Sequence, residues 1–382
     1  MMKEFRFSIP QNILFAPGSL NQLGTVLKEM GAGSAFLISG PHLKRMGVVD
    51  RAVKAAEDAG VKVSTFTETE GNPSTETVER AARQFQTCGA DVIVTLGGGS
   101  PMDVAKAAAI LAVHGKAITD YEGSGKVPGE VVPMIAIPTT AGTGSEVTPF
   151  SVITDHSRDY KLSISSPYLL PAYAILDPEL ITSLPQSVAA ATGIDAMVHA
   201  IEAYVSKAAT PFSDAMAEKA LKLLGGHIRA FASDRSDLEA AGAMLLGSTF
   251  AGIAFSFARL GNVHAMAHPV GGYFNVPHGV ANAILLPVVL KFNLLADKGR
   301  YRTIYDNVAR IPSDGYFEPE MLVHEIRKLT ASLGIPASLS EVGVTEDKIG
   351  LMAEDAMKSG NVAVNPRETT RRDIEELYRK AM

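Results

Sequence analysis

Short apolar runs alternate with segments of helical period through the first half of the chain. Runs rich in Val, Ile and Phe are typical of buried strands. They lie at residues 35–39, 61–66, 91–96, 134–137 and 173–177. The segments 48–59, 75–87 and 101–113 repeat apolar residues at helical spacing. Strand and helix in repetition predict a mainly parallel α/β sheet with helices on both faces.

The pattern changes after Pro185. Long stretches rich in Ala, Leu and Met follow one another, with no convincing strand between them. They cover residues 188–206, 211–231 and 238–257. We therefore predict an α/β domain over residues 1–184 and an all-α domain over residues 185–382. The segment 177–185, which contains two prolines, would separate them.

A period-two stretch at residues 159–165 predicts a strand that could pair with residues 150–154 as a β-hairpin. Lys161 lies within this stretch. It is either a solvated strand lysine or a cation close to a bound phosphate or ribose.

Composition and charge narrow the classes of function. The 382 residues include 35 Lys and Arg against 41 Asp and Glu, a net charge of −6, so no basic excess is available for nucleic acid or anionic lipid. Cys88 is the only cysteine, which excludes an intrachain disulfide and a thiolate zinc cluster. We find no signal peptide and no uninterrupted apolar run that approaches the roughly 20 residues of a membrane span. We expect a cytoplasmic protein that binds neither nucleic acid nor membranes.

A glycine-rich loop follows the third predicted strand. Gly97, Gly98 and Gly99 precede Ser100 and Pro101, which we interpret as the N-cap and first residue of a helix. Close backbone approach, free N–H groups and the helix dipole favour an anion such as a pyrophosphate. The spacing matches neither the dinucleotide fingerprint nor the P-loop. A tight turn without a ligand is therefore the alternative.

A second loop, at residues 138–146, follows the next strand. It contains two glycines and four hydroxyl side chains, those of Thr139, Thr140, Thr143 and Ser145. Hydroxyls and free N–H groups suit phosphate, ribose and carboxamide recognition, although an ordinary polar loop has the same composition. Two such loops at strand ends of one sheet predict a nucleotide site better than either loop alone.

Potential metal ligands are clustered in the second half. His264, His268 and His278 fall close together, and Asp195 and His199 share one face of a helix because they are four residues apart. A buried carboxylate on an apolar helix is costly unless it is compensated, and a divalent cation would compensate it. Imidazoles and one carboxylate suit Fe(II), Zn(II), Mn(II) or Co(II).

The spacing leaves alternatives open at this cluster. It does not decide which two of the three histidines join Asp195 and His199. Each group alone could also be a hydrogen-bonded helix pair or a set of core and surface histidines. Glu202, one turn after His199, is a further candidate ligand, and we favour a role in which it orients a ligand.

Together these motifs resemble the iron-containing (group III) alcohol dehydrogenases, a family that includes lactaldehyde reductases, 1,3-propanediol dehydrogenases and butanol dehydrogenases. The motifs that carry the resemblance are residues 97–103, 138–146, 193–199, 261–269 and 277–279, in family order. The resemblance implies a dehydroquinate synthase-like fold. In it, an α/β dinucleotide-binding domain precedes an all-α metal-binding and substrate domain, with the catalytic metal in the cleft between them.

The resemblance also implies a role for individual residues. The metal ligands would be Asp195, His199, His264 and His278, and His268 would be the catalytic histidine near the substrate. The cofactor-binding residues would be Asn72, Gly98, Gly99, Ser100, Asp103, Thr139, Thr140, Thr143, Ser145 and Lys161. One cofactor position departs from many NAD-dependent members, because Gly40 stands where they have an Asp that holds the adenosine ribose. NAD or NADP is therefore expected as cofactor.

The function implied by the resemblance is a metal-dependent alcohol dehydrogenase or aldehyde reductase. It would transfer hydride between NAD(P) and a small primary alcohol or aldehyde, with Fe²⁺ as the metal and Zn²⁺ as the alternative. His268 would pass the alcohol proton to or from solvent. A homo-oligomer, dimer or higher, is expected.

Other functions stay open on the same scaffold or outside it. The alternatives are a zinc-dependent polyol dehydrogenase of the glycerol type, a sugar-phosphate lyase resembling dehydroquinate synthase, and a non-catalytic nucleotide-binding protein. The lyase should carry more basic residues for its phosphorylated substrate, and the segment around the metal motif offers only Arg259.

Overall fold

The apolar runs of the first half form a parallel sheet in the computed structural model, which describes residues 4–158, 160–309 and 315–382. The strands are β1 (Asn12–Phe15), β2 (Ser34–Ser39), β3 (Lys62–Phe66), β4 (Val92–Gly97), β5 (Gly123–Ser124), β6 (Met134–Pro138), β7 (Phe150–Asp155), β8 (Tyr160–Ser165) and β9 (Tyr173–Leu176). Six of them pair in the order β1-β9-β6-β4-β2-β3, all parallel. The predicted α/β class is confirmed.

Helices cover both faces of this sheet. They are α1 (Leu23–Glu29), α2 (Pro41–Arg45), α3 (Val48–Glu57), α4 (Thr75–Cys88) and α5 (Gly99–His114). Side chains of β2 alternate between the two faces, as period two requires. Phe36 and Ile38 pack with α4 and α5, whereas Ala35 and Leu37 pack with α1 and α3.

Two local expectations differ from the structure. The helix after the glycine loop begins at Gly99 with Gly98 as its N-cap, so Ser100 lies in the first turn and is not the N-cap. The edge strand β1 was not predicted, because its four residues are too short for a periodicity signal.

The predicted hairpin is present as a second, three-stranded sheet. β7 and β8 pair antiparallel, with Thr154 opposite Lys161, and β5 adds at the edge of β8. Asp159, the first residue of the predicted second strand, lies outside the described residues.

The second half of the chain is helical, as predicted. The helices are α6 (Gln186–Val205), α7 (Pro211–Ser233), α8 (Leu238–Ala258), α9 (Asn262–Phe274), α10 (His278–Asn293), α11 (Arg300–Val308), α12 (Pro319–Ser332), α13 (Ile349–Lys358) and α14 (Arg371–Ala381). Glycines allow close packing at two crossings. A Cβ on Gly225 would lie 2.1 Å from the Asn307 carbonyl oxygen, and one on Gly247 would lie 2.7 Å from Leu224.

Three helical segments among the described residues are long and apolar enough to cross a membrane by length and composition. They are α6, α8 and the segment His278–Ala296. The search for an uninterrupted apolar run missed these segments, because each of them contains polar or charged residues. Most of each segment is buried inside the protein, so neighbouring helices account for its apolar composition.

The chain divides into two compact units. The sheet unit contains residues 9–140 and 145–181, and the helical unit contains the N-terminal residues up to Ser8, residues 141–144 and the chain from Thr182 onward. The sequence predicted a single domain boundary, between residues 184 and 185. The N-terminal segment joins the helical unit because the Phe7 ring packs on Phe212 and Phe257 at 4.9 and 4.3 Å between centroids. Gly142 and Gly144 belong to the helical unit because they pack closely against Thr192 and Gly252.

Candidate metal and nucleotide sites

One face of α6 carries three buried polar side chains. Asp195, His199 and Glu202 are spaced by four and three residues, which brings them onto the same side of the helix. Each is at most 5% exposed. The ligand atoms of Asp195, His199 and His264 lie within 4.8 Å of one another. The structure thus brings together a carboxylate and imidazoles from α6 and α9.

His278, the first residue of α10, reaches the same carboxylate. Its Nε2 lies 3.7 Å from Asp195 Oδ1, and Nε2 of His264 lies 3.8 Å from that oxygen. The His264 ring also stacks on His199, with 4.5 Å between centroids. Asp195 therefore lies at the centre of three imidazoles.

Two acceptors fix the orientation of the imidazoles. Nδ1 of His264 donates to Glu202 Oε2 at 2.6 Å, and the Val263 backbone N–H donates to Glu202 Oε1 at 2.7 Å. Nδ1 of His199 donates to the Gly142 carbonyl oxygen at 3.2 Å. A proton held on Nδ1 leaves the Nε2 lone pair available for a metal. Glu202 therefore orients His264, as the sequence suggested.

Asn282 is a residue of this cluster that the sequence analysis missed. Its Nδ2 donates to Asp195 Oδ1 at 2.6 Å and lies 3.1 Å from Nε2 of both His264 and His278. The sequence signal for Asn282 was its position four residues after His278, which brings the two side chains onto one face of the helix.

When the His264 and His278 imidazoles are neutral with the proton on Nδ1, the acceptors of this cluster outnumber its donors. The Asn282 amide then has only two hydrogens for three acceptors, which are Asp195 Oδ1 and the two Nε2 atoms. The Asn282 Oδ1 atom is buried and has no hydrogen-bond partner in the described part of the chain. Acceptor lone pairs that converge on one buried volume fit a divalent cation bound by imidazole and carboxylate.

The electrostatics of the cluster agree with a cation site. Burial alone would raise the pKa of Asp195, but the facing imidazoles of His199, His278 and His264 lower it below its ordinary value. Burial lowers the pKa of His199 to about 4. Burial also opposes the charged form of His264, yet Asp195 and Glu202 raise its pKa to about 9. The two carboxylates thus create a negative potential where the imidazoles converge.

His268 lies at the rim of the cluster. It is half-buried, and its ring stacks on His278 at 5.3 Å between centroids and 18° between planes. Its ring is 6.3 Å from that of His264. His278 is partly exposed as well, with 35% of its side chain accessible.

The order of the sheet defines the candidate nucleotide site. If the strands after β1 (β2, β3, β4, β6 and β9) are renumbered 1 to 5 in chain order, their order across the sheet is 2-1-3-4-5. The direction in which successive strands are added therefore reverses between β2 and β4. Open α/β sheets bind ligands at the carboxyl ends of the strands beside such a reversal. Gly40 follows β2, and the loop 97–100 follows β4, with Ser39 opposite Leu96. Gly40 and the loop 97–100 therefore both lie at this reversal, which is called the topological switch point.

The two loops predicted from the sequence are neighbours. Gly97 pairs with Pro138 across β4 and β6. A Cβ on Gly98 would lie 3.1 Å from Thr140 Oγ1, and one on Gly97 would lie 2.6 Å from Pro101. The close approach and a φ of 156° require glycine at position 97, whereas a Cβ at position 98 would need a small shift of the Thr140 side chain. The backbone of the first loop therefore lies against the Thr140 side chain of the second loop.

Lys106 anchors the second loop and was not predicted. This lysine is 1% exposed, and its Nζ donates to the carbonyl oxygens of Ser145, Thr148 and Phe150 at 2.7 to 2.9 Å. Burial raises the pKa of Asp103, three residues earlier, to about 7, although Lys106 and Lys161 favour its ionised form. Lys106 lies on an apolar helix with alanines on both sides of it. Its position as a single charged residue in an apolar segment was the sequence signal that its side chain is buried.

Asn72 and Lys161 come together although they are 89 residues apart. Lys161 Nζ donates to Asn72 Oδ1 at 2.7 Å. Asn72 has a left-handed backbone, with φ of 55°, and burial lowers the pKa of Lys161 while Asp103 opposes that shift. These residues form one polar group on the sheet unit.

The amino-acid sequence matches two family models over nearly its whole length. Residues 10–178 match the model described as iron-containing alcohol dehydrogenase, and residues 189–382 match the C-terminal model of the Fe-containing alcohol dehydrogenase family.

Individual relatives match from end to end. The chain is 36% identical to an NAD-dependent methanol dehydrogenase of Bacillus methanolicus, with 98% of this chain and 99% of the relative covered. It is 35% identical to an NADPH-dependent butanol dehydrogenase of Clostridium saccharobutylicum, with 98% and 97% covered. The solved structure of an alcohol dehydrogenase from Oenococcus oeni superposes with a TM-score of 0.96 at 33% identity, over 99% of this chain and 100% of the other.

Proposed function

The chain belongs to the family of iron-containing alcohol dehydrogenases, and on that basis we propose a role for each residue of the two sites. The protein is an oxidoreductase that acts on alcohols or aldehydes with a nicotinamide cofactor. The assignments below extend this activity to particular side chains.

Asp195, His199, His264 and His278 hold the catalytic metal, with Fe²⁺ as the expected ion. A divalent metal in such a site lowers the pKa of an alcohol and polarises a carbonyl. Glu202 and Gly142 keep the protons of His264 and His199 on Nδ1, and Asn282 orients the Asp195 carboxylate. The chain thus preorganises the ligands before the metal binds.

His268 exchanges the alcohol proton with solvent. Imidazole titrates near neutral pH, which suits both gain and loss of a proton during turnover. Its half-buried position, stacked on the partly exposed His278, supports contact with both the reacting group and water.

The loops at the switch point hold the cofactor. A nicotinamide dinucleotide accepts or supplies the hydride. The N-terminal turn of α5, with Gly98, Gly99 and Ser100, offers N–H groups to the pyrophosphate. Polar contacts to the rest of the cofactor would come from Asp103, Thr139, Thr140, Thr143 and Ser145. Asn72 would contact the cofactor near its adenosine end, and Lys161, which donates to Asn72, would contact it as well. Proximity of Gly98 to Thr140 supports a single binding surface.

The substrate class proposed from the relatives is a small primary alcohol or its aldehyde. The observation that carries the whole proposal is the convergence of Asp195, His199 and His264 ligand atoms within 4.8 Å, in a buried cluster.

Metal analysis and turnover of histidine variants test these roles. Enzyme loaded with Fe²⁺ should oxidise NADH or NADPH when butanal is added, and the nicotinamide absorbance measures this oxidation. A chelator should abolish the activity. His264→Ala and His278→Ala should lose metal, whereas His268→Ala should keep metal and lose rate, with partial recovery in added imidazole. Metal loss in His268→Ala with retention in His264→Ala would reverse the assignment.

A further inference from the structure

Arg259, the C-cap residue that follows α8, has a backbone conformation that arginine disfavours. Its φ is 60° and its ψ is −172°, a region that is almost restricted to glycine. Its backbone N–H donates to the Phe255 carbonyl oxygen at 2.8 Å, a bond that glycine would make equally well. The backbone therefore gives no reason for an arginine here, and the side chain must provide one.

The chain also makes room for the Arg259 side chain. A Cβ on Gly360 would lie 2.2 Å from Arg259 Nη2 and 3.2 Å from its Cζ. Gly360 does not have a left-handed backbone, so its conformation does not require a glycine. The guanidinium thus lies across a position that no larger residue could occupy without displacing it.

Arg259 lies between two residues that contact the metal cluster. Phe255, one helical turn earlier, stacks on His199 with 4.6 Å between ring centroids. Gly261, two residues later, lies against Glu202, where a Cβ would be 2.8 Å from Oε1. The chain on either side of Arg259 therefore lies against residues of the cluster.

The charge of Arg259 is not neutralised by a neighbour. The side chain is exposed, and within residues 4–158, 160–309 and 315–382 its guanidinium has no hydrogen bond or ion pair. Other arginines of the helical unit have acidic partners, as Arg229 has Glu325 and Arg300 has Asp214. A guanidinium is always charged and offers a planar fork of donors, which suits a carboxylate, sulfonate or phosphonate.

We propose that Arg259 makes the enzyme prefer short alcohols and aldehydes that carry an acid group at the end opposite the reacting carbon. The inference rests on the proposed function, since it assumes that the reacting carbon lies at the metal cluster. It adds a substrate class to that function, because the acid group would bind the guanidinium while the hydroxyl or carbonyl binds at the cluster.

Matched alcohols test the preference. We expect kcat/KM for 4-hydroxybutanoate, and for 2-hydroxyethanesulfonate, to exceed that for 1-butanol by at least about tenfold, as a charge-assisted contact implies. The two acids distinguish a carboxylate site from a sulfonate site. In Arg259→Met the ratio of kcat/KM for the hydroxy acid to kcat/KM for 1-butanol should fall by about tenfold or more. The control is Arg372→Met, which removes a cation whose side chain is 88% exposed and should leave the ratio unchanged.

A second variant separates recognition from packing. Arg259→Gly should lose the acid preference while its melting temperature rises, because glycine relieves the backbone conformation. If Arg259 serves only to pack on Gly360, both variants should melt lower and keep the wild-type ratio, which would overturn the proposal. Turnover of 1-butanol without any preference for acids would also overturn it, whereas no turnover of any alcohol would reject the proposed function on which it rests.

Discussion

Glu202 accepts a hydrogen bond from His264 Nδ1 at 2.6 Å and, with its other oxygen, one from the Val263 backbone N–H at 2.7 Å. One carboxylate on α6 therefore both anchors the start of α9 and fixes the tautomer of a candidate ligand. The negative charge of Glu202 also makes the His264 imidazole a stronger electron donor.

Glu202→Gln should weaken metal binding. Glutamine keeps the shape of the side chain but removes the charge, so we expect the metal dissociation constant to rise by about 10- to 100-fold. Competition with a coloured chelator measures this constant. The control is Glu325→Gln, which removes a carboxylate paired with Arg229 in the same unit and should leave the constant unchanged. Equal affinity in the two variants would contradict an orienting role for Glu202.

Asn282→Ala should also weaken metal binding, through Asp195. The Asn282 amide donates to Asp195 Oδ1 at 2.6 Å, and without it the carboxylate can rotate away from the position in which it meets the imidazoles. We expect a loss of about tenfold in metal affinity, at the lower end of the range for groups that orient ligands.

The same helix offers a matched control for Asn282. Asn293 is equally buried, but it bonds with Asn365 at 2.9 and 3.2 Å and not with the histidines. Asn293→Ala should therefore lower thermal stability without changing metal affinity. If both variants lose stability and neither loses affinity, Asn282 has only a packing role.

The sequence predicted well those features that depend on periodicity. The helix predicted at residues 75–87 is Thr75–Cys88, and the strand predicted at 134–137 is Met134–Pro138. Apolar spacing reports which face of an element is buried, so it identifies elements with regular burial. It places the first turn of α5 poorly, because Gly98 and Gly99 have no side chains to contribute a pattern.

Contacts that depend on the backbone or on distant partners were not predictable. The carbonyl of Gly142, which accepts from His199, has no side-chain signal at all. Asn282 has no charge and lies in an apolar helix, so only its spacing from His278 could have indicated it. The conformation of Arg259 follows from the turn between α8 and α9, which local propensity opposes.

Lys106→Met should destabilise the sheet unit. Methionine fills the same space, but it leaves the carbonyl oxygens of Ser145, Thr148 and Phe150 without their donor in a buried place. Loss of one partner from a buried charged network costs roughly 3–5 kcal/mol in the free energy of unfolding. Urea unfolding measures the loss.

Lys54→Met is the control for Lys106→Met. The Lys54 side chain is 75% exposed and pairs with the exposed Asp58, so its removal should change stability by less than about 0.5 kcal/mol. Comparable losses in the two variants would show that the bonds of Lys106 are weak. A stable Lys106→Met enzyme with unchanged cofactor affinity would contradict its role in holding the loop at Ser145.

Gly40→Asp should shift the cofactor preference toward NAD. Gly40 follows β2 at the switch point, with an ordinary φ of −98°, and an added Cβ would lie 3.2 Å from the Thr69 carbonyl oxygen. An aspartate therefore fits after a small shift of that carbonyl. Its carboxylate would accept from the ribose 2′-hydroxyl and repel a 2′-phosphate. We expect the ratio of kcat/KM for NAD to that for NADP to rise at least about tenfold, as one charged hydrogen bond implies.

Arg45 is the cation that would bind the 2′-phosphate in the unmodified chain. Both Arg45 and its neighbour on α2, Lys44, are exposed. Lys44 is already paired with Asp50, whereas Arg45 forms no ion pair with any residue that the structure describes. Arg45→Ala should therefore weaken NADP more than NAD, and Gly226→Asp, at an open position of α7, should change neither. The unmodified enzyme should use both cofactors. A thousandfold rejection of NADPH, about 4 kcal/mol, would show that a residue other than Gly40 selects the cofactor, because the absence of a carboxylate cannot by itself exclude a phosphate.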